Sequence, residues 1–142
     1  MKPVLVDSNV LIDIFSDHPS WYQWSRNQLT RLYRQTRLYI NPVVYAEISV
    51  PFKRIEELET CLQRLPLQFA ELPKEALFLA AKAFLQYRQK GGAKTAPLPD
   101  FYIGAHAAVK NWQLITRDTS RIKHYFPSVP IISPESTAVQ GK

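Results

Sequence analysis

The sequence has little cysteine and no long apolar segment. Cys61 is the only cysteine among 142 residues, so no disulfide can form within the chain. No apolar run approaches the roughly 18 residues that a membrane-spanning helix needs. The N-terminus also lacks the basic segment followed by an apolar one that marks a secretory signal. These absences argue against a membrane protein and an internally disulfide-bonded secreted protein, and they favour a cytoplasmic one.

Acidic residues are scarcer than basic ones. The chain has 12 Asp and Glu against 18 Lys and Arg, which gives a net charge of +6 and a pI near 9.6. A basic surface is equally typical of a merely soluble protein and of one that binds nucleic acid. If several of the few acids converge on one site, the remaining surface is more basic than the net charge indicates. A polyanion then becomes a natural partner.

The hydrophobic pattern predicts one α/β domain, with a short parallel sheet covered by helices on both faces. Short apolar segments alternate with helical ones, and no repeat, low-complexity tract or linker divides the chain. The domain is expected to span residues 1–133, and residues 134–142 are expected to form a frayed tail. The predicted strands are 4–6, 38–40, 114–116 and 129–132, and the predicted helices are 8–15, 20–37, 42–50, 53–65, 74–90, 100–110 and 118–125.

Two acids come at or just after the ends of predicted strands. Asp7 directly follows the strand VLV, and Asp118 lies two residues beyond the strand LIT. In parallel α/β sheets, ligand sites lie at the carboxyl ends of the strands. Taken singly, each acid is more typical of the N-terminal end of a helix than of a catalytic site.

Two further acids, Glu47 and Asp100, lie on the apolar faces of their helices, at about 100° per residue. Structural explanations compete here with a functional one. Asp100 would interact favourably with the helix dipole, and Glu47 would be a buried acid held by an arginine. The neighbours on the shared faces are Val43 and Val44 for Glu47, and Ile103, Gly104 and Ala107 for Asp100.

The four acids together indicate a cation site. Burial of one unpaired carboxylate is costly, and four buried close together would repel one another strongly. A divalent cation removes that conflict. Because all the candidate ligands are oxygen atoms and no Cys or His pattern accompanies them, the cation is expected to be Mg²⁺ or Mn²⁺ rather than zinc.

Two other ionisable residues are expected to have no part in such a site. Asp13 falls on the far side of its helix from Leu11 and Ile14, and it is expected to be solvated. His106 lies opposite Asp100 on its helix, and it is expected to be a surface or packing residue rather than a ligand.

Four segments resemble, in their order and spacing, the motifs of PIN-domain ribonucleases, above all the VapC-type toxins of prokaryotic toxin–antitoxin pairs. They are VLVDSNVLIDIF, the helix of Glu47, LPDFYIGAHA and LITRD, and the resemblance covers residues 3–132. It implies a PIN fold, a Mg²⁺- or Mn²⁺-dependent endoribonuclease acting on RNA, a cognate antitoxin and a homodimer. The residues that it implies are the metal-site acids Asp7, Glu47, Asp100 and Asp118 and the supporting polar residues Ser8, Asn9 and Thr116.

Two other functions remain open. The first is phosphoryl transfer with Asp7 as the nucleophile, as in haloacid-dehalogenase-like enzymes. These enzymes have a second Asp two residues further on, where this chain has Asn9. The second is a catalytically silent PIN-like module that binds RNA or a protein partner. A pure binder gains nothing from acids crowded beside a polyanion.

Overall fold

The sheet of this protein has five strands, which pair in parallel throughout. A computed structural model describes residues 1–140, and the strand order in the sheet is β3-β2-β1-β4-β5. This architecture confirms the predicted α/β class and the parallel sheet. The strands are β1 Val4–Val6, β2 Leu38–Ile40, β3 Leu67–Phe69, β4 Gln113–Ile115 and β5 Ile131–Ile132.

Eight helices are present among residues 1–140, and the seven predicted ones are all found, with bounds that differ by a few residues. The largest difference is in α2, which is shorter than predicted at both ends. The helices are α1 Ser8–Phe15, α2 Tyr22–Tyr33, α3 Pro42–Ser49, α4 Ile55–Gln63, α5 Lys74–Gln89, α6 Pro99–Lys110, α7 Ser120–Tyr125 and α8 Pro134–Gln140. None of these helices has the length and hydropathy to cross a membrane.

The central strand β1 shows that both faces of the sheet are covered. Successive side chains of a strand point to opposite faces, yet Val4, Leu5 and Val6 are all fully buried. Helix α6 packs on β1 and β4, α5 packs on α6, and α2 contacts β2. The apolar core therefore lies on both sides of β1.

The strand order reverses beside β1. From β1 the chain passes to β2 and β3 on one side, and it returns to β4 and β5 on the other. Such a reversal leaves a crevice at the carboxyl ends of the two strands that flank it. Asp7 follows β1 and Thr116 follows β4, so both residues lie at this crevice.

Local sequence signals begin the two helices that carry Glu47 and Asp100. Asn41 caps α3, because its Oδ1 accepts a hydrogen bond of 2.9 Å from the backbone N–H of Val44, and Pro42 occupies the first helical position. Helix α6 likewise begins with a proline, Pro99, which puts Asp100 in its first turn. Local sequence signals at the first residues of α3 and α6 thus determine where the two acids lie.

Gly104 lets α6 pack closely against the residues around α7. A Cβ atom at this position would overlap the ring of Phe126, which follows α7 and is buried. The close approach is therefore to the residues around α7 rather than to the sheet. An alanine at this position would not fit without movement of that ring.

Residues Pro134–Gln140, where the sequence predicts a frayed tail, form helix α8 in the structure. Ser133 and Ser136 cap the start of α8 reciprocally, because each backbone N–H donates to the other's Oγ, at 2.9 and 3.3 Å. The indole N–H of Trp24 also donates to Oγ1 of Thr137, at 2.8 Å. Residues 141–142 lie outside the described part, and the domain boundary at residue 133 stays a prediction.

Candidate active site

Asp7 lies at the centre of the site and is almost completely buried. Only 6% of its surface is exposed, at the junction of β1 and α1. Its Oδ1 accepts from the backbone N–H of Ser8 at 2.7 Å, and its Oδ2 accepts from the hydroxyl of Thr116 at 2.7 Å. The amide of Asn9 also approaches Oδ2, at 3.4 Å. These contacts fix the orientation of the carboxylate, but none of them supplies a positive charge.

Asn9 and Thr116 join the ends of β1 and β4. The Nδ2 of Asn9 donates to Oγ1 of Thr116 at 3.1 Å, and its Oδ1 accepts from the backbone N–H of Arg117 at 3.3 Å. The hydroxyl of Thr116 also accepts from the backbone N–H of Asp118, at 3.1 Å. Asn9 therefore acts here as a neutral bridge, in the position where a haloacid-dehalogenase-like enzyme needs a second carboxylate.

Glu47 reaches the site from α3. Its Oε1 accepts a hydrogen bond of 2.9 Å from the hydroxyl of Ser8, and its side chain is partly buried. Among residues 1–140 it forms no ion pair, which excludes the explanation that an arginine holds it. Ser8 thus links the acid from α3 to the strand end that carries Asp7.

Asp100 and Asp118 complete the group of acids. The carboxylate of Asp100 is about one-third exposed and pairs with Nη1 of Arg121 on α7, at 3.3 Å. Asp118 is exposed in the turn between β4 and α7, where it lies two residues after Thr116. Asp118 therefore belongs to the outer edge of the site.

Electrostatic repulsion couples the four acids, although burial is the larger effect. Burial raises the pKa of Asp7 to about 6, with a smaller contribution from the charges of Asp100 and Glu47. Burial also raises the pKa of Glu47, and the charge of Asp100 adds to that rise. The pKa of Asp100 is raised by burial and by the charge of Asp118, against the opposing charge of Arg121. The predicted repulsion is present, but desolvation is the main reason for the raised pKa values.

The chemistry of these side chains suits a divalent cation. All four are oxygen ligands, and the most buried of them, Asp7, has no cationic partner among residues 1–140. In the part of the chain that the structure describes, however, no three His, Cys, Asp or Glu side chains already stand together as a metal-binding group. The residues fit Mg²⁺ or Mn²⁺ by donor type and charge, and the acids would have to converge further around the ion.

Asp13 is not solvated as predicted, but buried. Both of its oxygens accept from Arg117, at 2.8 and 2.9 Å, and Ser25 on α2 donates to it at 2.8 Å. The guanidinium of Arg117 also lies 5.2 Å from the ring centre of Trp21. The helical pattern of α1 alone could not reveal this burial, because the compensating groups come from α2 and from the turn after β4.

His106 is a packing residue, as expected from its position opposite Asp100. It is fully buried, its Nδ1 lies 3.1 Å from Nδ2 of Asn41, and its ring contacts Trp112. Burial lowers its pKa to about 4, with a smaller contribution from Lys110, so the ring is neutral at pH 7. It takes no part in the group of acids.

The fold and the acids at its switch point define the class of protein. Residues 4–126 match the family model of the PIN domain, and the chain belongs to the PIN domain family. No curated protein sequence matches it significantly.

Similar solved structures cover almost the whole chain at low identity. VapBC2 from Rickettsia felis, bound to a DNA fragment from their promoter, is 20% identical with a TM-score of 0.71, over 92% of this chain and 98% of that one. FitAcB from Neisseria gonorrhoeae is 20% identical with a TM-score of 0.68, over 93% and 98%. A toxin–antitoxin complex from Klebsiella pneumoniae is 23% identical with a TM-score of 0.64, over 92% and 97%. Likeness at these identities shows a shared fold.

Two arginines beside the acids did not stand out in the sequence. Arg117 falls within the segment LITRD, where its neighbours Thr116 and Asp118 drew attention, and Arg121 is one of 18 basic residues with no distinguishing pattern. A spacing of three residues between Asp118 and Arg121 is common on helices. Only the packing of α7 against α6 brings Arg121 to Asp100.

Proposed function

We propose that this protein is a metal-dependent endoribonuclease and the toxin of a toxin–antitoxin pair. The observation that carries the proposal is Asp7, a buried carboxylate that has no cationic partner in the described part of the chain and is coupled electrostatically to other acids of the site. Membership of the PIN domain family supports the same reading. Burial of an unpaired charge lowers the stability of a fold, and groups of this kind are concentrated at functional sites. The position of Asp7 at the strand end therefore indicates a functional site.

The chain's own residues would position the ion and the scissile group. Asp7, Glu47, Asp100 and Asp118 would hold Mg²⁺ or Mn²⁺, which when bound supplies a Lewis acid for phosphodiester hydrolysis. Thr116 and Asn9 keep the carboxylate of Asp7 in one orientation, and Ser8 does the same for Glu47. Addition of water and cleavage of the P–O3′ bond would leave a 5′-phosphate and a 3′-hydroxyl, with no covalent enzyme intermediate.

The structure also offers a surface for a protein partner. A surface cavity of about 450 Å³ on the α1, α2 and α4 side is lined by apolar side chains, by Thr30 and Gln63, and by Arg26 and Arg64. An apolar segment with acidic flanks would fit it. The VapC-like motifs and the toxin–antitoxin complex among the similar structures support an antitoxin as the occupant. A homodimer is proposed on the same resemblance.

A silent PIN-like binding module is the second candidate. The observation in its favour is that no three potential ligands among residues 1–140 are yet arranged as a metal-binding group. The burial of Asp7 weighs against it, because a pure RNA binder would lose affinity by placing acids beside a polyanion.

Incubation of the purified protein with total RNA distinguishes the two candidates. We expect cleavage with Mg²⁺ or Mn²⁺ and none with EDTA, with 5′-phosphate and 3′-hydroxyl ends. Asp7→Asn and Asp100→Asn should each reduce cleavage by at least about a hundredfold, since loss even of an outer partner of a metal ligand costs 10–100-fold. Asp17→Asn is the matched control, because Asp17 is exposed and its φ of 55° suits asparagine. Cleavage in EDTA equal to that with metal, or cleavage by both site variants equal to that of the wild type, would overturn the proposal of a metal-dependent nuclease at this site.

The antitoxin has a separate test. We expect the antitoxin to be encoded by a small gene next to that of this protein. Expression of the protein alone should arrest growth, and coexpression of that gene product should restore it. Harmless expression of a protein that cleaves RNA in vitro would keep the nuclease but remove the toxin assignment.

A further inference from the structure

Asp100 is the only one of the four acids that forms an ion pair within residues 1–140. Its partner, Arg121, comes from α7, whereas Asp100 lies in the first turn of α6. The two side chains are 35% and 31% exposed, so both can be reached from solvent. A cation of the protein itself therefore stands at the group of acids where the proposed function needs a metal ion.

Two aromatic rings hold the guanidinium of Arg121 independently of Asp100. Its central carbon lies 5.8 Å from the ring centre of Tyr87 on α5 and 5.8 Å from that of Phe101 on α6. Arginine stacks well on aromatic faces, and such contacts keep its planar group in place while leaving N–H donors free. If the pair with Asp100 broke, the guanidinium would remain beside the acids.

Other basic residues extend the positive charge away from Arg121. Lys90, near the C-terminal end of α5, lies with its Nζ 2.9 Å from Nε2 of His124, one helical turn after Arg121 on α7. The backbone N–H of Lys94 donates to the hydroxyl of Tyr87, at 3.4 Å. The side chains of Lys90, Lys94 and His124 are exposed, so further basic residues accompany Arg121 and the ring of Tyr87. A single nucleic-acid strand presents repeated phosphates that such residues can bind.

We propose that Arg121 has two alternating partners, Asp100 in the metal-free protein and a substrate phosphate once a divalent cation has taken Asp100. The proposal rests on the proposed function and names the group that recognises the backbone of the nucleic acid next to the cut. The five N–H donors of arginine form a fork that matches two phosphate oxygens, as it matches a carboxylate. Arg121 thus competes with the metal ion for Asp100 and lowers the affinity for the metal. Once the metal is bound, Arg121 contributes to substrate binding.

The first arm of the test measures Mn²⁺ affinity by calorimetry, without RNA. Arg121→Gln should bind Mn²⁺ about two- to fivefold more tightly than the wild type, because an exposed ion pair no longer competes for Asp100. Arg54→Gln is the matched control, since Arg54 forms an exposed pair with Glu56 at the same distance of 3.3 Å. It should leave the affinity unchanged. Equal affinities of Arg121→Gln and Arg54→Gln would overturn the counter-ion role.

The second arm measures RNA cleavage at saturating Mn²⁺ and several salt concentrations. Arg121→Gln should raise KM and reduce the slope of log(kcat/KM) against log salt by about 0.7, the contribution of one phosphate contact on a single strand. An unchanged KM and slope would overturn the phosphate role. If Arg121→Gln does not fold, Arg121→Met, which keeps an apolar side chain against the rings, carries the same expectations.

The two proposals fail in different ways. A wild-type protein that binds Mn²⁺ and cleaves RNA, but whose Arg121 variants match Arg54→Gln, would refute only the role of Arg121. A wild-type protein that binds no Mn²⁺ would refute the metal site, and the role of Arg121 with it.

Discussion

At the scale of single residues, Asp7 combines burial with negative charge. It accepts hydrogen bonds from Ser8 and Thr116, but these do not compensate for the loss of water, and its pKa is raised to about 6. A carboxylate with a raised pKa binds more protons in the folded state than in the unfolded one. Its contribution to stability is therefore fully present below its unfolded pKa of 3.8 and is lost as the pH rises towards 6.

The cost of ionised Asp7 should appear as a pH-dependent difference between the wild type and Asp7→Asn. In EDTA, the free energy of unfolding of the wild type relative to the variant should fall by about 2 kcal/mol between roughly pH 4.5 and 7.5. At neutral pH the variant should be the more stable protein, although it loses one hydrogen-bond acceptor. Urea unfolding at both pH values measures this difference, with Asp17→Asn as the control. A difference that does not change with pH would show that Asp7 is not buried as a charge.

Asp7 and Asp13 differ in how far their burial can be predicted from the sequence. Asp7 could be predicted, because an acid directly after a buried strand contradicts the apolar pattern around it. The burial of Asp13 could not, because its compensating partners, Ser25 and Arg117, lie 12 and 104 residues away. A buried charge therefore cannot be recognised from its own segment when the groups that compensate it come from distant parts of the chain.

At the scale of elements, the pair of Asp13 and Arg117 joins α1 to the turn after β4. Asp13 also accepts from Ser25, so α2 is attached to the same point. Arg117 lies between Thr116 and Asp118, and its backbone N–H donates to Asn9. The pair therefore stabilises the fold and holds the turn that carries two residues of the candidate site.

Asp13→Ala should cost about 3 kcal/mol of unfolding free energy. The substitution leaves Arg117 partly buried without its partner, and breaking a buried pair from one side costs about 3–5 kcal/mol. Glu56→Ala is the control, since it removes one partner of an exposed pair and should cost less than about 1 kcal/mol. Urea unfolding of both variants checks the difference. If the two substitutions lower the free energy of unfolding equally, the pair of Asp13 and Arg117 does not stabilise the fold as a buried pair.

Elements were predictable where one segment carried its own signal. Strands β1, β2 and β4 are short apolar runs, and α3 and α6 begin with proline, so their sequences alone identify them. Strand β3 is an edge strand of three residues, of which Gln68 and Phe69 are exposed, and its pairing with β2 is what makes it a strand. Helix α8 depends on reciprocal caps of two serines and on Trp24, far away in the sequence.

At the scale of the whole molecule, a net charge of +6 coexists with a concentrated group of acids. Asp7 and Asp118 follow β1 and β4, and Glu47 and Asp100 interact with Asp7 electrostatically, so the surface away from these four of the 12 acids is more basic than the net charge indicates. The fold explains why Asp7 and Asp118 lie at one edge, because parallel strands end at the same edge and the strand order reverses there. The burial of Asp7 at a strand end was predictable from its own segment, whereas the pairing of Asp100 with Arg121 required the packing of α7.

The measurement that tests the cation site most directly is thermal melting of the wild type and Asp100→Asn, each in EDTA and in Mn²⁺ near neutral pH. In EDTA the variant should melt at or above the wild type, because the raised pKa of Asp100 shows that its charge is unfavourable in the folded protein. Mn²⁺ at a hundred times its Kd should stabilise the wild type by about 2.7 kcal/mol and the variant far less. A variant that melts lower than the wild type in EDTA, together with no effect of Mn²⁺ on either protein, would show that the four acids do not form a cation site.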